Sequence, residues 1–136
     1  MRTGVIVAGG YATRFGEGDK AVADLAGTPM IRRVADRLAP VIDRLVVNCR
    51  PAQREAIAEA LSGYDHPRTV AEDEESDRGP MTGMLTGLRA VESEFAVVVA
   101  CDMPFVAPGL VDHLFEQARD LKLKRFGASI LNQRLA

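Results

Sequence analysis

Thr3-Gly4-Val5-Ile6-Val7-Ala8-Gly9-Gly10-Tyr11-Ala12-Thr13-Arg14-Phe15-Gly16-Glu17-Gly18-Asp19-Lys20 decides how the rest of the chain is read. Val5 to Ala8 form an apolar run without alternation, the pattern of a strand covered on both faces in a parallel sheet. The run stops at Gly9-Gly10. Two residues without Cβ atoms, both tolerant of positive φ, let the backbone turn sharply and present N–H groups to a ligand. Arg14 and Lys20 bring positive charge to the same place, so the expected guest is a phosphate. The spacing is not that of a Walker A loop, because Gly16 is followed by Glu17 and Lys20 by Ala21. Nor is it the dinucleotide fingerprint, because the next glycine after Gly9-Gly10 is Gly16.

Working outward, strand and helix signals alternate. Ile31, Val34, Ala35 and Leu38 recur at helical spacing after Thr28-Pro29, which reads as an N-cap followed by proline at the first helical position. Leu45 to Cys49 is a short strand rich in β-branched residues, and a helix from Pro51 to Leu61 is expected to bury Ile57, Ala58 and Leu61. Thr69-Val70-Ala71 is a weaker strand, followed by an acidic loop and a helix through Leu85, Leu88 and Val91. Phe95 to Ala100 is the fourth strand. A proline-started helix, Pro108 to Leu121, then carries Leu110, Val111, Leu114, Phe115 and Ala118 on one stripe. Four such alternations predict an α/β fold, a parallel sheet with right-handed crossovers and helices on both faces. Ligands of these sheets bind beyond the carboxyl ends of the strands, where Gly9-Gly10, Asn48, Asp73 and Asp102 all fall.

Composition narrows the functions. A chain of 136 residues with 47% hydrophobic and 26% charged residues is one domain of ordinary globular make-up. No apolar run approaches a spanning helix, and the N-terminus opens directly on a strand, so a cytoplasmic protein without membrane partners is expected. Cys49 and Cys101 each adjoin a strand end without a Cys-x-x-Cys pair, which favours reduced, buried thiols. Residues 121–136 carry Lys122, Lys124, Arg125 and Arg134 and no carboxylate. The first 120 residues therefore hold 13 Lys and Arg against 19 Asp and Glu, too acidic for a nucleic-acid partner. We divide the chain accordingly into a nucleotide-binding domain, 1–120, and an atypical basic tail, 121–136.

Two further motifs carry chemistry. Asp102 follows an apolar strand, where an isolated carboxylate is costly to bury; it either closes the strand in an Asx-turn or holds a cation. Mg²⁺ suits the second role, since it takes one or two carboxylates together with phosphate oxygens and water. In Gly79-Pro80-Met81-Thr82-Gly83-Met84, Gly79 permits a turn and Pro80 starts the helix. Gly83 allows close approach of a ligand or of the sheet. No Ser-His-Asp or Cys-His set is present, and His66 and His113 lack metal-ligand spacing.

Gly-Gly-x-x-x-Arg-x-Gly-x-x-x-Lys over residues 9–20 resembles the nucleoside-triphosphate transferase superfamily. Together with Ala26-Gly27-Thr28-Pro29-Met30, Gly79-Pro80-Met81-Thr82-Gly83-Met84 and Cys101-Asp102-Met103-Pro104, it resembles the molybdenum cofactor guanylyltransferase family. The resemblance spans residues 3–118. It implies a Rossmann-like three-layer sandwich of the nucleotide-diphospho-sugar-transferase type, shortened here at the C-terminus. It also implies transfer of GMP from GTP to molybdopterin with release of pyrophosphate, and Mg²⁺ as cofactor, with Mn²⁺ the alternative. Carried over by position, Val7, Ala8, Gly9 and Gly10 would meet guanine and phosphates through their backbone, Lys20 the phosphates, and Asn48, Asp73, Gly79 and Gly83 the nucleotide. Asp102 would bind the metal, and Arg14, Lys20 and Asp102 would be catalytic. Related readings share these residues: a CTP:molybdopterin or GTP:cobinamide-phosphate enzyme, or a truncated, non-catalytic GTP-binding protein. A shortened sheet would expose an edge, through which a homo-oligomer could form.

Overall fold

The computed structural model describes residues 1–9, 20–73 and 80–124. In chain order the elements are β1 (Arg2–Val7), β2 (Asp24–Leu25), β3 (Thr28–Pro29), α1 (Met30–Leu38), β4 (Arg44–Cys49), α2 (Arg54–Ala60), β5 (Arg68–Glu72), α3 (Pro80–Arg89), β6 (Phe95–Ala100) and α4 (Pro108–Lys124). Four strands pair in parallel in the order β5-β4-β1-β6. The order reverses at β1: the chain moves outward through β4 to β5, then returns across the sheet to place β6 on the other side. The crevice between β1 and β6 is thus the topological switch point, where open α/β sheets take their ligands.

The alternation of side chains along β1 divides the molecule into layers. Gly4 and Ile6 face α1, and a side chain on Gly4 would begin 3.1 Å from Leu38 and Ile42. On this side Ile6, Val47 and Val99 join Ile31, Val34 and Leu38 of α1, Ile57 of α2, and Val111 and Phe115 of α4 in one buried cluster. Full burial of each such side chain is worth about 1.5–3 kcal/mol, so this cluster supplies the main driving force for the fold. Val5 and Val7 face the other way, toward α3, which lies so close that residue 87 has room only for glycine beside Val5.

The structure departs from the sequence reading at several points. Thr28 is not an N-cap. It pairs with Leu25 while Pro29 pairs with Asp24, and α1 starts only at Met30 after an extended Pro29. The two-residue turn between β2 and β3 has positive φ at both Ala26 (54°) and Gly27 (90°), the geometry whose twist suits a tight hairpin. Several apolar residues expected inside are outside: Leu85 and Leu88 on α3, Leu110 and Leu114 on α4, and Ala58 on α2 are exposed. Periodicity found each stripe, but only part of it is buried: Ile57 and Leu61 in and after α2, and Val111 and Phe115 in α4, while α3 packs through its glycines. Helix α4 runs to Lys124, three residues past its expected end. Among the described residues no helix is long and apolar enough to cross a membrane.

Candidate active site

Register gathers the residues singled out in the sequence. Ala71, Asn48, Val7 and Ala100 stand side by side across β5, β4, β1 and β6. Two residues beyond that row, in the same order, come Asp73, Arg50, Gly9 and Asp102. The ladder holds one rung further at each seam: Asp73 N–H donates to Cys49 O at 2.9 Å, Ala8 N–H to Asn48 O at 2.9 Å, and Cys101 N–H to Val7 O at 3.2 Å. Gly9 and Asp102 therefore leave neighbouring strands at the switch point, although 93 positions separate them in the chain.

Asn48 lies at the centre of this edge, fully buried. Its Oδ1 accepts from Gly9 N–H at 3.3 Å, while Nδ2 donates to Asp73 Oδ1 at 2.9 Å and to Ala71 O at 3.3 Å. An N–H can only donate and a carbonyl only accept, so these partners permit a single orientation of the amide. Asp73 is 8% exposed, and its second oxygen, Oδ2, accepts no hydrogen bond from the described residues. That oxygen sits beside Gly9, 2.3 Å from where a Cβ would begin.

This contact changes the reason for glycine at position 9. Gly9 is not among the described glycines with positive φ. A side chain there would collide with Asp73 Oδ2 and Asn48 Oδ1, so close approach, not an unusual dihedral, excludes other residues. Nor is its N–H free for an anion: both it and Ala8 N–H are held by Asn48. Gly83 is buried against the sheet, where a Cβ would start 2.6 Å from Asn48 Oδ1 and 3.2 Å from Val7 Cγ1. Of its two sequence readings, the geometry matches close packing of helix on sheet.

Asp102 is exposed, in the turn that follows β6. An exposed carboxylate there fits a divalent cation that takes few ligands from the protein. No group of three or more His, Cys, Asp or Glu that could hold a metal by itself occurs among the described residues. Gly10, Arg14, Gly79 and the side chain of Lys20 lie outside the described residues. Cys49 and Cys101 are buried and free of disulfide. His66 bonds to Ala39 O at 2.7 Å and meets the Tyr64 ring edge-on, while His113 is exposed.

Sequence reasoning passed over Gln53. It is 3% exposed, accepts from Arg50 N–H at 2.8 Å and donates to Ala8 O at 2.9 Å. The available signal was Arg50-Pro51-Ala52-Gln53, proline at the first position of a helical turn with Gln at the third, the spacing that lets an amide reach back to the turn's start.

Residues 4–129 match the family described as the MobA-like NTP transferase domain. Over 86% of its length the chain is 56% identical to a Natronomonas pharaonis protein named "Probable molybdenum cofactor guanylyltransferase", of which the match covers 57%. The chain spans about half the length of the curated relatives it matches. A crystal structure of molybdopterin-guanine dinucleotide biosynthesis protein A from Archaeoglobus fulgidus is 28% identical, with a TM-score of 0.62, over 88% of this chain and 56% of that one. The 4-diphosphocytidyl-2C-methyl-D-erythritol synthase of Anaerococcus prevotii, 20% identical with a TM-score of 0.72 over 88% and 51% of the two chains, shares the fold. The sheet and its helices are thus those of the nucleotide-diphospho-sugar transferase fold.

Proposed function

As a chain that belongs to the MobA-like NTP transferase family, this protein has, we propose, the function of moving GMP from GTP to the phosphate of molybdopterin. An oxygen of the acceptor phosphate would bond to the α-phosphorus of GTP, and the bond from that phosphorus to the bridging oxygen of the β-phosphate would break, so that pyrophosphate leaves. The acceptor is already an anion. No general base is needed, which agrees with the lack of a recognisable nucleophile-base pair in the sequence. What the reaction requires is that repelling anions be brought together and that charge on the leaving group be neutralised.

The observation that carries this reading is the register at the switch point: β1 and β6 pair in parallel as far as Val7 and Ala100, and Gly9 and Asp102 each follow two residues later. Asp102 would hold Mg²⁺, which when bound supplies Lewis-acid neutralisation of the triphosphate. Lys20 and Arg14 would add positive charge from the loop. Asp73 Oδ2, an acceptor without a partner among the described residues, would take the N1–H and N2–H₂ donors of guanine, a pair of adjacent donors that cytosine lacks.

The test is calorimetric titration of a GTP, CTP and ATP panel with and without Mg²⁺, using Asp102→Ala as control, followed by pyrophosphate release in the presence of molybdopterin. Mg²⁺-dependent binding of GTP above the others, with release on adding acceptor, is the expected result. No heat at millimolar GTP would remove the proposal, and binding without release would leave a nucleotide-binding protein.

A further inference from the structure

We infer that Gln53 is a positioning residue which sets the spacing of the chain segments leaving β1 and β4, and so holds Gly9, by standing in for a rung of the β-ladder. In a parallel pair, a residue that donates its N–H to one residue of the neighbouring strand accepts, through its C=O, from the N–H two residues further on. Ala8 N–H donates to Asn48 O at 2.9 Å, so the next rung should run from Arg50 N–H to Ala8 O. It does not run directly. Arg50 N–H donates to Gln53 Oε1 at 2.8 Å, and Gln53 Nε2 donates to Ala8 O at 2.9 Å.

The side-chain amide is inserted between two strands that would otherwise close on each other, and both backbone groups remain satisfied. Its orientation is fixed, because Arg50 N–H can only donate and Ala8 O can only accept. The gap opens immediately before Gly9, whose N–H is held from β4 by Asn48. Gln53 and Asn48 together hold Ala8 and Gly9 where the chain leaves β1, with no contact between Gln53 and a ligand required. The effect on nucleotide affinity rests on the function proposed above; the effect on Gly9 does not.

Two variants separate positioning from simple support of the turn at residues 51–53. Gln53→Glu keeps an acceptor for Arg50 N–H and loses the donor to Ala8, whereas Gln53→Met loses both. Amide hydrogen exchange at Gly9 in the free protein should rise about tenfold in both variants, with Val5 and Ile6 unchanged and unfolding still cooperative. Affinity for Mg²⁺ with GTP should fall about tenfold in both. If Gln53→Glu matches the parent chain in Gly9 exchange while Gln53→Met does not, Gln53 only caps its turn and the inference is wrong. Unchanged Gly9 exchange in both variants overturns it as well. If the parent chain binds no GTP, the nucleotide function fails, and exchange at Gly9 alone decides the positioning role.

Discussion

The carboxylate of Asp73 lies against the α-carbon of Gly9, with Oδ2 2.3 Å from where a Cβ on residue 9 would stand. Gly9→Ala must therefore displace either the carboxylate or the loop, and Asn48 Oδ1, 3.0 Å from the same point, blocks a sideways shift. We expect affinity for Mg²⁺ with GTP to drop roughly tenfold or more, matching an overpacking cost of about 1–3 kcal/mol. Calorimetric titration of Gly9→Ala beside the parent chain checks this; equal affinities would mean the contact is relieved at no cost.

Helix α3 offers a test confined to stability. A Cβ on residue 87 would begin 2.7 Å from Val5 Cγ1, and Val5 is fully buried. Gly87→Ala should destabilise by up to about 2 kcal/mol, an overpacking cost of about 1–3 kcal/mol less the gain of about 1 kcal/mol in helix propensity. Combining it with Val5→Ala should recover part of that loss. A double-mutant cycle by urea unfolding should give a coupling of about 1 kcal/mol, and simple additivity would contradict the packing described.

Asp102 should behave in the opposite way. It is exposed, so Asp102→Asn is expected to leave stability within about 0.5 kcal/mol of the parent. Metal-dependent pyrophosphate release should fall about a hundredfold or more, since the neutral amide is a poor ligand for a hard cation. Thermal unfolding measured alongside turnover separates the two effects. A variant that keeps its metal dependence would point to a different ligand.

Tyr64 gives the fold a pH dependence at the alkaline end. Burial chiefly, with Asp36 nearby, pushes its phenol up to about 12 from 10.0. The folded state thus holds the proton more tightly than the unfolded one, so this contribution is complete below pH 10 and is lost as pH rises from 10 to about 12. Tyr64→Phe should flatten that limb of the stability profile. Near neutrality it should cost about 1 kcal/mol, because the hydroxyl donates to Ala35 O at 2.6 Å. Urea midpoints at pH 8, 10 and 11.5 would reveal both effects.

The four sheet strands were legible because Val5-Ile6-Val7, Leu45-Val46-Val47 and Val97-Val98-Val99 are buried or half-buried runs rich in β-branched residues, a pattern that burial itself imposes, while Thr69-Val70-Ala71, on the edge strand with Thr69 exposed, gave the weaker signal. The positions of Asp73 and Asp102 at the strand ends followed once the sheet was taken as parallel. Other features were hidden for physical reasons. Strands of two residues have no periodicity, so Thr28-Pro29 looked like the start of a helix. The leucines of α3 and α4 mark apolar stripes, but a sequence does not say where the neighbouring layer stops. Gly83 and Gly87, one turn apart, were the true contact line of α3, and only the approach of Asn48 and Val5 explains them. The capping spacing of Gln53 could be read from the sequence, but its bridge to Ala8 could not, because that depends on a ladder rung that only the three-dimensional register defines.

The pairing of Thr3 with Ala96 has a consequence for the newborn polypeptide. Synthesis proceeds from the N-terminus, so the opening strand is finished long before the segment that flanks it on its far side leaves the ribosome. Until then the crevice has one bank only, and the acid at position 102 does not yet exist. Closing so long a span delays completion of the sheet relative to local helix formation. The crevice at the switch point is therefore among the last parts of the domain to mature, and a nascent fragment ending before β6 should carry Gly9 without its facing wall.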